Sequence, residues 1–422
     1  MTSFIFHSRL MSAVAALAFA GCLAAQGGGV AVYEVGTPNI GEAYAGQAAV
    51  SGDASTVFLN PAGMTQLSGT QFLVGGQLDL LSATFNARPG GSSPAGGAFV
   101  VPSIYVTKDI GSRFSVGFSM NTPFGLGLSY ADGWDGRYLV ERIQLAVAEA
   151  SPAVAYRVNR WLSLGAGLSL ERASISQSTA VPNLFEPARG DGAIDLQLHG
   201  WSEGFHAGAL FNAGSHTRIG LTYRSEVDFS LNGSVTARNI GSTMMAALRP
   251  VSSSGVPLAL PQGGNLSVYR NVNEKLAVLA DVGWTNWRRF GREEQKLADG
   301  STVVTDRHWR DTWRVGAGLR WNANRRTMVH TGVSYDSSPV SSLNRTPDLP
   351  VDRQWRFSAG ITRDLKPGVL VAISCSYADL GAARIENALA PGTGRVSGQY
   401  SGARLPVISV SFLFRPSVRK EH

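Results

Sequence analysis

The side chains that could do chemistry are few and poorly placed for bond making. Seven His are scattered along 422 residues, and no two share a metal-ligand spacing with a Cys or carboxylate partner. Ser334 and His330 fall on one face of one alternating stretch. Hydrolysis needs a third, orienting group in reach, and such parity is common by chance. Pairs such as Gly165-Ala166-Gly167 lie inside alternating stretches, and there is no GxxxxGK[ST] phosphate loop. These patterns argue against an enzyme, and no cofactor or metal is expected. What stands out is a set of arginines between apolar neighbours: Arg218, Arg224, Arg314, Arg320 and Arg356. The chemistry they offer is electrostatic, with Arg224 and Arg314 the basic candidates.

Those arginines ride on a period of two that runs along most of the chain. In residues 161–171, Trp161, Leu162, Leu164, Ala166, Leu168 and Leu170 surround Ser163, Gly165, Gly167, Ser169 and Glu171. In residues 313–321, Trp313, Val315, Ala317, Leu319 and Trp321 stand against Arg314, Gly316, Gly318 and Arg320. Such a period puts alternate side chains on opposite faces of a strand. One face is apolar and ends in Trp; the other carries Gly, Ser and Arg. A soluble sandwich would bury the apolar face, whereas a transmembrane barrel shows it to lipid. An arginine facing lipid at mid-membrane costs about 2–4 kcal/mol, so these arginines, with His206 and His330, are assigned to the lumen. Cys375 shares the face of Val371, Ile373 and Tyr377 and is read as an inert lipid-facing thiol.

Connection lengths decide between the two. From residue 70 the alternation gives about 14 strands of membrane-spanning length: 70–81, 99–108, 113–124, 147–158, 161–173, 200–212, 216–231, 265–272, 275–288, 308–321, 327–336, 353–363, 369–379 and 404–414. Short turns such as Asn159-Arg160 and Asn273-Glu274 alternate strictly with long connections over 82–98, 125–146, 174–199, 232–264, 289–307, 337–352 and 380–403. Tight turns at one end and long loops at the other are the pattern of outer-membrane barrels. The fold class predicted is all-β, a transmembrane antiparallel barrel over 70–414. Ile408, Val410, Phe412 and Phe414 make a last strand ending on an aromatic, the form recognised by the barrel assembly machinery; residues 415–422 trail it as a tail.

The bulk properties agree. His7 and Arg9 precede an apolar run and small residues through Ala25, so residues 1–27 read as a secretory signal. A rival is a loose lipobox, Phe19-Ala20-Gly21-Cys22, which would lipidate Cys22. No later stretch of 18 apolar residues exists, so no helical span is expected. Loss of the signal leaves Cys375 without a partner for a disulfide. The formal charge of +7 allows contact with anionic lipopolysaccharide at the loops as well as with outer-membrane lipid. No basic cluster suggests nucleic acid. A monomer is expected.

Residues 28–69 do not alternate and are too apolar for a disordered tail. They carry a short helix expected over residues 39–50 and are read as a plug inside the lumen. Tyr33-Glu34, Gly41-x-Ala43, Ala45-Gly46-x-Ala48-Ala49, Asp53-Ala54-Ser55-Thr56 and Asn60-Pro61-Ala62-Gly63-Met64 occur there in order. Asn121-Thr122-Pro123-Phe124-Gly125-Leu126, Trp134-Asp135-Gly136-Arg137-Tyr138, Arg218 to Ser225, Leu258-Ala259-Leu260-Pro261 and Trp284-Thr285-Asn286-Trp287 follow. This ordered set resembles the FadL/TodX family, outer-membrane transporters of long-chain fatty acids and aromatic hydrocarbons, and covers essentially the whole mature chain.

The resemblance implies a 14-stranded barrel plugged by an N-terminal hatch, with Asn60, Pro61, Ala62 and Gly63 matching the hatch motif. It implies capture in an apolar groove of external loops, a lumenal pocket, and a sideways exit at a kink in the third strand. By position Pro123, Phe124 and Gly125 mark that kink, where Pro lacks a ladder donor and Gly weakens pairing. For the groove, loop 232–264 offers Met244, Met245, Leu248, Leu258 and Leu260, flexible Met suiting a promiscuous apolar surface. The family's carboxylate clamp has no residue-by-residue match: Ser176-Gln177 stands at the end of the fifth strand. The function expected is passive uptake of hydrophobic small molecules across the outer membrane of a Gram-negative bacterium. The alternatives are a general diffusion porin and a structural or adhesive surface barrel.

Overall fold

The alternating segments become strands that pair in sequence order. The computed structural model describes residues 31–32, 35–247, 254–296, 302–390 and 394–415; the signal, the lipobox and nearly all of the tail lie outside them. Fourteen antiparallel strands form the wall. They are β1 (Thr70–Ala87), β2 (Ser92–Ile110), β3 (Phe114–Tyr130), β4 (Arg142–Arg157), β5 (Leu162–Val181) and β6 (Gly192–Asn212). Next come β7 (Thr217–Arg224, continued by Val227–Arg238), β8 (Ser254–Leu260, continued by Gly263–Asn271) and β9 (Leu276–Thr285). β10 (Thr312–Asn324), β11 (Thr327–Asp336), β12 (Gln354–Lys366), β13 (Val369–Asp379) and β14 (Gly394–Phe414) complete the set. β14 pairs back onto β1, Phe412 opposite Val74 and Phe414 opposite Phe72, so the sheet closes and leaves no edge.

Large apolar side chains cover the outside, among them Val100 at 76% exposure, Leu168 at 68%, Trp201 at 61% and Trp313 at 57%. So much apolar exposure on a closed wall marks a lipid-facing surface. Aromatics gather near both strand ends, Trp161 against Phe211 at the short-turn end and Tyr335 against Trp355 at the other. Asn159 and Asn273 build two of the short turns: each side-chain oxygen accepts the backbone N–H groups two and three residues on, all at 2.9 Å.

Strands run well beyond the alternating segments at the long-loop end. The connection expected over 82–98 shrinks to residues 88–91, that over 125–146 to 131–141, and that over 174–199 to 182–191. Above the membrane the outward positions, such as Ser82, Ser92 and Gly96, no longer need to be apolar, so the period of two loses its contrast. The connection 289–307 contains its own hairpin, Arg292–Lys296 with Thr302–Asp306. Residues Ile385–Ala390 add to β14.

The lumen has two halves. Residues 35–66 fill the half toward the short turns and are almost entirely buried. In place of the helix expected over 39–50 there are three short pieces: 3-10 turns at Pro38–Glu42 and Pro61–Gln66, and a helix at Thr56–Leu59. Left-handed Ala43 (φ 50°) and Tyr44 (φ 62°) end the first piece. Wall glycines admit this backbone. A Cβ at Gly220 would lie 1.9 Å from the Ala48 carbonyl oxygen, and one at Gly332 2.0 Å from that of Glu42. The other half is apolar inside, a tier of buried Leu126, Leu128, Ile143, Leu145, Ile175 and Leu198 under Trp134 and Tyr400, while exposed Gln144, Ser176 and Gln197 alternate with it on the outside. Lumen-facing Gly and Ser are therefore a property of only one half.

The exposed face of β5 makes a direct test. Leu168→Arg should lower barrel stability by about 2–4 kcal/mol if its site lies near the bilayer midplane. Urea titration in lipid vesicles reads the change, and a negligible effect would place residue 168 outside the lipid.

Candidate functional site

The inner segment is tied to the wall by one buried charge. Glu42 accepts from Arg320 Nη2 at 2.9 Å and pairs with His330 Nδ1 at 2.7 Å, while His330 Nε2 meets Thr362 Oγ1 at 2.8 Å. Arg320 also donates through Nε. Burial alone would raise the Glu42 pKa; the Arg320 guanidinium and His330 ring overcome it and hold the carboxyl at about 2. A sequence with small residues around position 42 gives no warning that its one acid will be wholly enclosed.

The four motif residues expected in the plug gather at a second anchor. Asn60 donates to the Ala48 carbonyl at 2.6 Å and the Ala209 carbonyl of β6 at 3.1 Å, and accepts from Ala62 N–H at 3.1 Å. Its fully buried amide thus bonds plug and wall at once. Pro61 opens the following 3-10 turn, where its missing N–H is harmless. Ala62 is fully buried, and a Cβ at Gly63 would strike Thr56 Oγ1 at 2.1 Å.

Above these anchors lies a cavity of about 180 Å³. Phe58, Leu59 and Pro61 form its floor, Pro123 and Phe124 one side, and Arg224, Asn265, Trp284 and Arg314 the other. The adjacent wall is incomplete. β2 stays paired with β1 throughout, but its ladder to β3 stops between the Gly96–Ser129 and Ile104–Met120 pairs. On the far edge β3 slips register between Asn121 and Phe124, with Pro123 inside the irregularity. The Pro123 carbonyl instead accepts from Val32 N–H at 2.8 Å, and Ala31 bridges Phe124. The ring of Phe99 packs in the unpaired stretch: a Cβ at Gly127 would sit 2.0 Å from it. Pro123, Phe124 and Gly125 are thus brought together beside a cavity and an unladdered wall; Phe99 went unread, because nothing in the sequence sets Gly127 of the next strand beside it.

The two basic candidates both line this cavity, and both are engaged. Arg224 Nη1 lies 2.5 Å from Glu149 Oε2 and 3.8 Å from Glu171 Oε1, with the Phe58 ring 4.6 Å from its Cζ. Arg314 pairs with Asp281 and donates to the Ala43 carbonyl. Glu149 and Glu171 occupy lumenal parity and were findable by the same rule as the arginines.

The groove residues do not assemble as expected. Leu258 and Leu260 are 1% exposed and point into the lumen, because residues 254–260 form a strand rather than a loop. Met244 is buried, and Met245, in the short helix Ser242–Ala247, is exposed; Leu248 lies outside the described residues. Trp287 of the sequence motif packs with two unread aromatics, Phe290 and Trp309, at the long-loop end beside the tier.

The arrangement can enclose an apolar molecule. The family model for outer membrane protein transport proteins (OMPP1/FadL/TodX) matches residues 18–414. The long-chain fatty acid transport protein of Escherichia coli (strain K12) is 26% identical over 392 residues, 83% of this chain and 87% of its own. The solved structure of a Pseudomonas aeruginosa FadL homologue superposes with a TM-score of 0.81 at 20% identity, over 92% of this chain and 99% of that one. The Ralstonia pickettii toluene transporter TbuX gives 0.61 at 17% identity, over 87% and 95%.

Glu42 supplies the test of the anchor. Glu42→Gln should cost the docked segment about 3–5 kcal/mol, because Arg320 is left buried without its counter-charge. Hydrogen exchange of residues 35–66 measures this. A carboxyl with a depressed pKa contributes fully above its ordinary range near 4.5, and loses that contribution as pH falls toward about 2. Protection in the wild type should therefore fade over that window and be insensitive to it in the variant.

Proposed function

The chain belongs to the OMPP1/FadL/TodX family of outer-membrane transport channels, and from that premise we propose the route by which it carries hydrophobic small molecules inward. Long-chain fatty acids or hydrocarbons are taken from the outer leaflet side, pass the apolar tier, and pause in the cavity above Phe58. They then leave sideways through the wall between β2 and β3. Residues 28–69 act as the hatch whose movement connects cavity and exit. The observation that carries this reading is coincidence in space: Pro123 and Phe124 line the cavity and also belong to the stretch of β3 that has no ladder to β2.

The physics favours such a path. Lipopolysaccharide slows apolar solutes, and a water-filled pore gives them no favourable environment. A lumen lined by Leu, Ile and Phe lets the solute keep away from bulk water. Parting the wall elsewhere would expose several ladder hydrogen bonds to hydrocarbon, each costly; between Gly96 and Ile104 those bonds to β3 are already absent. Capture is assigned to the loop surface around exposed Met245, with Leu258 and Leu260 moved inward as part of the tier. We read the chain as a monomer set in lipid and lipopolysaccharide, its terminal Phe414 serving the assembly machinery. A general diffusion porin fits less well, because the plug and the apolar tier together occupy the lumen of the described residues.

Closing the wall is the decisive experiment. Pro123→Val restores an N–H donor and Gly125→Val raises strand propensity; a Cβ at 125 meets nothing closer than 3.4 Å. The pair should cut uptake of an apolar substrate at least tenfold while heat-modifiable gel migration is unchanged. Undiminished uptake with a wall shown to be closed would send the solute to the periplasm instead.

A further inference from the structure

Both cations that face the cavity are matched by buried acids behind them. Arg224 lines the cavity, whereas its partners Glu149 and Glu171 do not and are 0% exposed. The two glutamates are direct cross-strand partners on β4 and β5. Like charges set opposite one another destabilise a ladder, and Arg224 is the cation that holds the pair together. Arg314 is only 3% exposed and is bound on the same side by Asp281, which also accepts from Asn265 Nδ2 at 2.8 Å. Two other titratable groups line the cavity: His206 turns its Nε2 onto the Val57 carbonyl at 3.2 Å, and Tyr223 donates its hydroxyl to Gln262 Oε1 at 2.7 Å.

Three carboxylates therefore stand behind two guanidiniums. The two cations are thus matched by acids in contact with them, and no positive charge is left over for a ligand. We propose that this cavity takes uncharged apolar molecules and discriminates against carboxylates, with Glu149, Glu171 and Asp281 as the residues that set the preference. The proposal rests on the transport reading above and narrows it. A carboxylate entering the site would shed its water only to meet guanidiniums whose charge is already matched, and a buried ion without a counter-charge is strongly disfavoured. The approach offers no relief. The tier is apolar, and the buried Arg307 and Arg345 over it are bound to Asp348 and Asp352 at 3.2 Å each. A neutral molecule meets none of these penalties and keeps the contacts with Phe58, Leu59 and Phe124.

The test is a matched pair of probes on the purified full-length protein in detergent at pH 9, where the acid is ionised: 1-hexadecanol and palmitate. The alcohol should bind at least tenfold more tightly. Glu149→Gln with Glu171→Gln leaves Arg224 uncompensated and should raise palmitate affinity tenfold or more, with the alcohol little changed. Asp281→Asn does the same for Arg314, so either variant that keeps heat-modifiable migration serves. If neither does, the wild-type comparison decides. Equal binding of the two probes by the wild type, or a folded variant with no gain for palmitate, overturns the charge argument and leaves the transport reading standing. Binding of neither probe overturns both.

Discussion

Everything in this molecule follows from the need of a backbone in hydrocarbon to satisfy its own hydrogen bonds. Water is not there to help, so a sheet that crosses a bilayer must close on itself. The pairing of β14 with β1 meets that demand and fixes the rest. A closed wall of fourteen strands encloses a lumen too wide to be filled by its own small inward side chains, and something else must fill it. Here the filling is divided between a folded segment of the chain and a tier of Leu, Ile and aromatic side chains. The same constraint makes the one stretch without a ladder, between β2 and β3, the place where the wall resists parting least.

How much of this could be read beforehand depended on contrast between the two faces of each strand. Residues 161–171 and 313–321 were legible because lipid demands apolar side chains on one face while the plug accepts Gly, Ser and Arg on the other. The contrast reverses toward the long loops, where exposed Gln144 and Gln197 stand between buried neighbours. Along residues 143–147 and 196–198 the lumen-facing Ile143, Leu145, Val147, Leu196 and Leu198 are themselves apolar, and the strands ran unnoticed into supposed loops. The same effect misplaced Leu258 and Leu260, whose apolar character came from the tier rather than from an outer groove.

Charge was legible by parity but not by partnership. The rule that sent Arg224 and Arg314 inward applies equally to Glu149, Glu171 and Asp281, yet pairing across β4, β5 and β7 depends on register that spacing alone does not supply. Glu42 was harder still, since nothing local shows that Arg320 and His330, nearly three hundred residues on, will close around it. Local rules located each charged group on its face; closure of the barrel chose its neighbour. The family resemblance supplied the position of Pro123, and the geometry added the cavity beside it and Phe99 across the gap.

The seating of the plug against bare wall glycines divides mutational tolerance unevenly. At Gly220 and Gly332 the wall touches carbonyl oxygens, which every residue type presents alike. A substitution at Ala48 or Glu42 leaves that backbone contact in place, whatever it does to the side-chain bonds. A substitution at either glycine puts a side chain into space already taken by main chain. The shape of the lock is thus written in the cylinder rather than in the key, and the inner segment is held at those contacts by main chain, not by the identity of its side chains.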